Sequence, residues 1–215
     1  GSVRCGGDEM LTAELPARPE YFSRDAEINR AGAPTLAELA PLPGLSPSVV
    51  CGRQEAGAVV LDTRPPAQFG GGHVPGSINI PLSGQYATWA GTLIGLDVPI
   101  LLVAEDQERL EESRMRLARV GIEKVEGYLE GGVLAWEQAG MELGEVPQIS
   151  VLDLYQLLCD QPEAVQVVDV RRPAEWEAGR IEQATLRPLG KLPTPAAKGG
   201  APEVLAGLDA RRPIS

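Results

Sequence analysis

The stretch VVLDTRPPAQFGGGHVPGSINIPL, Val59 to Leu82, lies without a gap over QVVDVRRPAEWEAGRIEQATLRPL, Gln166 to Leu189. At a constant offset of 107 residues, Asp62 falls on Asp169, Arg64 on Arg171, Pro66 on Pro173, Gly72 on Gly179 and Pro81-Leu82 on Pro188-Leu189. Phe69 is answered by Trp176, and Val74 by Ile181. Self-similarity of this kind marks one supersecondary unit used twice. Within the first copy, Ala58-Val59-Val60-Leu61, Ser77-Ile78-Asn79-Ile80 and Pro99-Ile100-Leu101-Leu102-Val103 are short and nearly all apolar. Runs of that type suit strands covered on both faces of a parallel sheet. Helix signals lie between them. Ser46-Pro47 occupies the favoured cap and first-turn positions of one helix. A second is predicted over Arg109 to Val120, with Leu110, Leu117 and Val120 on one face and Glu111, Glu112, Arg114, Arg116 and Arg119 solvated. Strands alternating with helices predict an α/β fold.

The two copies differ in extent. The first continues through PILLVAEDQERLEESRMRLARVGIEKVEGYLEGGVLAW to Met141, whereas the second reaches Pro213-Ile214-Ser215. Pairing Pro99-Ile100 with Pro213-Ile214 leaves the second copy without a counterpart of Leu101 to Met141. The expected organisation is a linker or docking arm over residues 1–44, a complete domain over 45–141 and a partial second copy over 149–215. A polar joint near Gly140 to Pro147 separates the copies. Part of the second sheet is then expected to be exposed, disordered or covered by another chain, and pairing of two molecules as a homodimer is one way to protect such an edge.

Composition narrows the function classes. The chain has 215 residues, 43% hydrophobic and 23% charged, which is ordinary globular usage. Nineteen Lys and Arg against thirty Asp and Glu leave a net charge of −11. That balance repels nucleic acid and anionic membrane surfaces. Apolar runs such as Pro99 to Ala104 are far too short to span a bilayer. Cys5, Cys51 and Cys159 share no metal-ligand spacing and form no even framework, so a reducing, cytoplasmic location is expected. With one histidine, His73, the chain cannot build a multi-histidine zinc site. In the arm, prolines at 16, 19, 34, 41 and 43 separate two short helical stretches, Glu9 to Leu15 and Arg24 to Ala31.

Three features together resemble the rhodanese (sulfurtransferase) superfamily: LDTRPPAQFGGGHVPGSINIPL, the strand ILLVA followed by a loop and a helix, and YLEGGVLAW from Tyr128 to Trp136. The resemblance covers about residues 45–141 as a complete domain and 149–215 as a partial one. It implies a central parallel sheet flanked by helices. Asp62 and Arg64 at a strand end suit local hydrogen bonding and ion pairing, and Gly131-Gly132 permits a tight approach before the last helix. Cys51 and Cys159 fall in helices that precede the first strand of each copy, and Trp136, Trp176 and Tyr128 read as packing residues.

In active members of that superfamily the equivalent of Ile100 to Val103 leads into a C-x-x-G-x-R loop. Its cysteine carries sulfur as a persulfide, stabilised by backbone amides and a helix N-terminus. Counting back from Gly121-Ile122 puts the nucleophile position at Ala104, and the loop reads Ala104-Glu105-Asp106-Gln107-Glu108-Arg109. Arg109 alone fits the pattern. Ala104 has no nucleophilic atom, and Glu105, Asp106 and Glu108 place negative charge where an anion would be cradled. These three carboxylates interact favourably with the helix dipole themselves, or else form an acidic loop that recognises a basic or thiol partner. The degenerate loop Glu105, Asp106, Gln107, Glu108 and Arg109 is thus the candidate binding site, with no catalytic residue, no cofactor and no metal in this chain.

The arm segment ELPARPEYFSRDAEINRAG, Glu14 to Gly32, resembles the segment after the metal-binding domain in bacterial metallo-β-lactamase-fold hydrolases fused to rhodanese repeats, such as persulfide dioxygenase-like and glyoxalase II-like proteins. The chain lacks the H-x-H-x-D-H motif of that domain. A Zn or Fe ion is implied only for such an absent domain, which would be the partner in the same polypeptide. The resemblances support a non-catalytic module for scaffolding, interaction or sulfur-substrate handling. The alternatives are a sulfurtransferase whose active cysteine lies in the missing end of the second repeat, and an unrelated binding module that keeps the fold.

Overall fold

A computed structural model describes residues 41–189. The expected arm helices, Cys5 and the end of the expected second copy lie outside these residues. Five strands form one all-parallel sheet: β1 (Gly44–Leu45), β2 (Val59–Asp62), β3 (Ile78–Asn79), β4 (Ile100–Val103) and β5 (Val125–Leu129), in the order β1-β5-β4-β2-β3. Helices α1 (Pro47–Glu55), α2 (Pro66–Gly71), α3 (Tyr86–Leu93), α4 (Gln107–Arg119) and α5 (Gly132–Gln138) connect them. This is the α/β fold with a central parallel sheet flanked by helices.

Strand β4 is central, and all four of its residues are buried. That is why its sequence is continuously apolar where a half-exposed strand would alternate. Successive residues still point to opposite faces. Leu61, Ile100 and Leu102 join Tyr86 and Ala90 from α3, Ile94 just after it, and Leu110 and Leu117 from α4. Val60, Leu101 and Val103 join Val50 from α1, Leu129, and Trp136 from α5. Both layers are therefore built from the alternation within single strands.

Three features differ from the sequence reading. Gly44, placed in the arm, is a strand residue, because Tyr128 donates its N–H to Pro43 and Glu130 donates to Leu45. Gly127 makes this approach feasible: a Cβ there would lie 2.5 Å from Leu45 Cδ1. Helix α4 begins at Gln107, two residues earlier than expected, with Asp106 as its cap. Arg116, expected to be solvated, lies over the Tyr86 ring and donates to the carbonyls of Leu82 and Gly84.

Beyond the joint, α6 (Val151–Asp160), β6 (Val168–Asp169), α7 (Pro173–Ala178) and β7 (Thr185–Leu186) follow, with β6 and β7 paired in parallel. Their register, Val168↔Thr185 and Asp169↔Leu186, is that of Leu61↔Ile78 and Asp62↔Asn79 shifted by 107. Ser150 Oγ caps α6 by accepting the Asp153 N–H at 3.1 Å. Val151, Leu152 and Tyr155 remain 83, 79 and 69% exposed, and Val170, Ile181 and Leu189 are also exposed. Among the described residues β6 has no partner but β7, so this apolar surface lacks the layers that cover the first sheet. No helix of the described residues is long and apolar enough to cross a membrane.

Candidate functional site

The carboxyl ends of parallel strands are where α/β folds place their sites, because the loops there converge while the strands are fixed by the sheet. Here the ends of β2 and β4 converge: Thr63 donates its N–H to Val103 O at 2.8 Å and its Oγ1 to the same carbonyl at 3.1 Å. Beside them Asp62 is fully buried and is clamped by Arg64. Its carboxylate accepts from Arg64 N and Nε at 3.0 Å and from Nη2 at 2.6 Å. Arg64 Nη2 also donates to Gly72 O at 2.9 Å. Asn79 Nδ2 donates to the Asp62 and Arg64 carbonyls at 3.0 and 2.9 Å. The Asp–Arg pair shapes the strand end. The same clamp recurs at Asp169 and Arg171, with Arg171 Nη2 on Gly179 O at 2.9 Å. There the Arg171 hydrogen bonds hold the Asp169 carboxyl below its usual range.

The candidate loop is collapsed. Only Ala104, Glu105 and Asp106 stand between β4 and α4, so Gln107, Glu108 and Arg109 belong to the helix. Asp106 accepts the Arg109 N–H at 2.8 Å and so satisfies one of the free amides at the helix start. The Asp106 carboxylate of the chain itself thus stands at the start of α4. Glu105 accepts from Gln68 Nε2 at 2.7 Å. Gln107 donates to Glu111 at 3.0 Å. Glu108 is exposed in the first turn. Arg109 turns outward to Glu112, Nη1 to Oε2 3.0 Å, and that carboxylate raises the guanidinium pKa.

Glu105 and Arg109 meet in a cavity of about 300 Å³ walled by Thr63, Pro65, Pro66, Pro81, Leu82, Ser83 and Glu112. Gln107 faces a separate cavity of about 260 Å³ with Pro41, Leu42, Leu110, Glu111, Arg114 and Tyr128. Of the five candidate residues, Glu105 and Arg109 thus share one cavity and Gln107 lines another. The first cavity has proline-rich walls, the Thr63 and Ser83 side chains, two carboxylates already paired and no thiol. Cys51 and Cys159 lie on α1 and α6. Cys51 contacts Glu55, and Cys159 raises the pKa of the neighbouring Tyr155 phenol by hydrogen bonding. Among the described residues no group of three or more His, Cys, Asp or Glu converges as metal ligands.

Sequence reasoning missed Tyr86 and Ser113. Both are fully buried and hydrogen-bonded oxygen to oxygen at 2.7 Å, joining α3 to α4, and burial pushes the phenol pKa well up. A signal was present: Ser113 stands three residues after Leu110 and four before Leu117, on the apolar stripe of α4. Arg116 extends this junction to the loop that carries Leu82, one wall of the cavity.

Residues 46–139 match the family model described as Rhodanese-like domain. This segment is a rhodanese-like domain. Over 89 residues the chain is 30% identical to an uncharacterized protein of Synechocystis, covering 41% of this chain and 48% of that one, so the chain spans about half the length of this curated relative. Among solved structures, the Alr3790 protein from Anabaena matches at 21% identity and a TM-score of 0.43, over 55% of this chain and 94% of that one. Thiosulfate sulfurtransferase from Pseudomonas aeruginosa matches at 20% identity and a TM-score of 0.40, over 80% of this chain and 37% of that one. The resemblance puts the nucleophile position at Ala104, which directly follows the central strand β4.

Proposed function

We propose that the rhodanese-like domain of this chain does not itself transfer sulfur and serves as a binding or scaffolding module within a larger protein. The observation that carries this reading is the β4–α4 turn, where Ala104 offers a methyl group and the Asp106 carboxylate takes the helix amide. A sulfur carrier needs a thiolate at that point and free amides around it. Glu105, Asp106 and Glu108 would raise the pKa of any nearby thiol and repel an anionic donor.

The same reading takes residues 149–215 as a second, partial rhodanese-like copy. The recurrence of the Asp–Arg clamp and strand register at an offset of 107 supports it. The arm resemblance supports a metallo-β-lactamase-fold domain of the same polypeptide as partner, in the cytoplasm. Its Zn or Fe would be held by residues outside 41–189, since the described residues supply no ligand group. The assay is sulfur transfer from thiosulfate to cyanide by the purified chain. Absence of turnover is expected, and clear turnover overturns the reading. The complete reading frame tests the remainder: an H-x-H-x-D-H motif before Gly1 is expected, and its absence removes the metallo-β-lactamase assignment.

A further inference from the structure

The joint between the two copies is held by hydrogen bonds to the first. His73 and Gly144 exchange N–H···O bonds at 2.9 Å each, as an isolated antiparallel bridge, and Val146 donates its N–H to Gly70 O at 2.9 Å. Upstream, Trp136 Nε1 donates to Glu142 O at 2.9 Å. Two glycines admit this contact. A Cβ on Gly70 would stand 2.6 Å from Val146 O, and one on Gly144 would stand 2.6 Å from His73 Nε2. His73 is fixed in turn by stacking on Phe69 and by a 2.9 Å contact from Nδ1 to Phe69 O.

Gly70 and Phe69 belong to α2, a helix of six residues. Two residues before Gly70, Gln68 donates to Glu105 in the loop at the nucleophile position. One short helix thus touches the joint with one end and the β4–α4 loop with the other. Gln68 and Gly70 stand two residues apart, within one turn of the same helix, so a displacement of the Gly70 backbone is passed directly to Gln68.

We propose that α2 couples the joint to the loop: docking of residues 143–148 sets the position of Gln68, and with it Glu105 and the cavity beside it. Movement of the second copy is then reported at the cavity, whether or not the domain is catalytic. The two arrangements that the test distinguishes are the joint hydrogen-bonded to Gly70 and His73 and the joint released from them.

The test uses the whole chain in five forms: wild type, Gly144→Ala, Gly70→Ala, Gln68→Ala, and Gly144→Ala combined with Gln68→Ala. Cleavage after Glu145 by a glutamate-specific protease reads the joint, and amide shifts of Ala104, Glu105 and Asp106 read the loop. Both single glycine variants are expected to be cut roughly tenfold faster than wild type, as loss of a backbone hydrogen bond allows, with displaced loop amides. Adding Gln68→Ala is expected to keep the fast cleavage and to return the Gly144→Ala loop displacement to the value that Gln68→Ala alone produces. Unchanged cleavage in both glycine variants overturns the docking. Fast cleavage with a still loop, or a loop displacement that persists without Gln68, overturns the coupling. Amides of Ile100 to Val103 serve as the folding control, and Gly144→Ala decides the matter if Gly70→Ala fails to fold.

Discussion

Replacing Arg64 by alanine is expected to be among the most damaging single substitutions in the rhodanese-like domain. The Asp62 carboxylate has no exposed side-chain area, and Arg64 is 11% exposed. The guanidinium supplies hydrogen bonds at 3.0, 3.1 and 2.6 Å, so truncation leaves a buried charge with the residue 64 backbone N–H as its remaining donor from that residue. Removing one partner of a buried pair costs about 3–5 kcal/mol, because the other charge stays uncompensated. Loss of the bond to Gly72 O adds to this. A small domain has only about 5–15 kcal/mol in total, and each kcal/mol lowers Tm by roughly 4–8 °C at this size. Urea unfolding followed by circular dichroism measures the loss, with the m value checking that the transition stays two-state. Asp62→Asn combined with Arg64→Met is expected to recover most of it, since the stranded charge is gone. A loss below about 1 kcal/mol for Arg64→Ala, or a double variant no better than the single, would refute the argument. The equivalent Arg171→Ala, in a clamp where the arginine is 46% exposed, should leave the main transition unmoved.

Three further outcomes are expected. Ala104→Cys should remain inactive in thiosulfate-to-cyanide transfer, because Glu105, Asp106 and Glu108 disfavour the thiolate and repel the donor; turnover by this variant alone would show that the carboxylates leave the cradle open. Ser113→Ala and Tyr86→Phe should each destabilise by about 1–3 kcal/mol by stranding the other's buried hydroxyl, and the double variant should cost less than their sum; strictly additive effects in thermal unfolding would contradict the pairing. Because the folded-state pKa of Asp169 is depressed by Arg171, the clamp contributes above the unfolded carboxylate pKa of about 4 and is lost as pH falls through the lower folded value. Carboxyl NMR titration checks this, and a midpoint at or above the ordinary value would rule it out.

The strands and the helices between them were legible in the chain itself. Those signals are local: apolar runs, cap residues, and the offset of 107 that aligns Asp62 with Asp169 and Arg64 with Arg171. Even the clamp was readable, since its partners stand two residues apart at a strand end. What could not be read depends on residues distant in sequence. Strand β1 exists because Gly127 leaves space for Leu45, 82 residues away, and two residues carry no periodicity of their own. The collapse of the loop into α4 required the Asp106 side chain to reach the Arg109 amide, which ended a six-residue motif after three residues and separated Gln107 from Glu105. Arg116 reads as a solvated charge on a helical wheel, yet the carbonyls it binds lie on the Leu82 to Gly84 loop. Periodicity determines which residues face the core. Which distant backbone meets them is decided by packing, because a hydrogen-bond acceptor 30 residues away leaves no mark on the spacing of its donor.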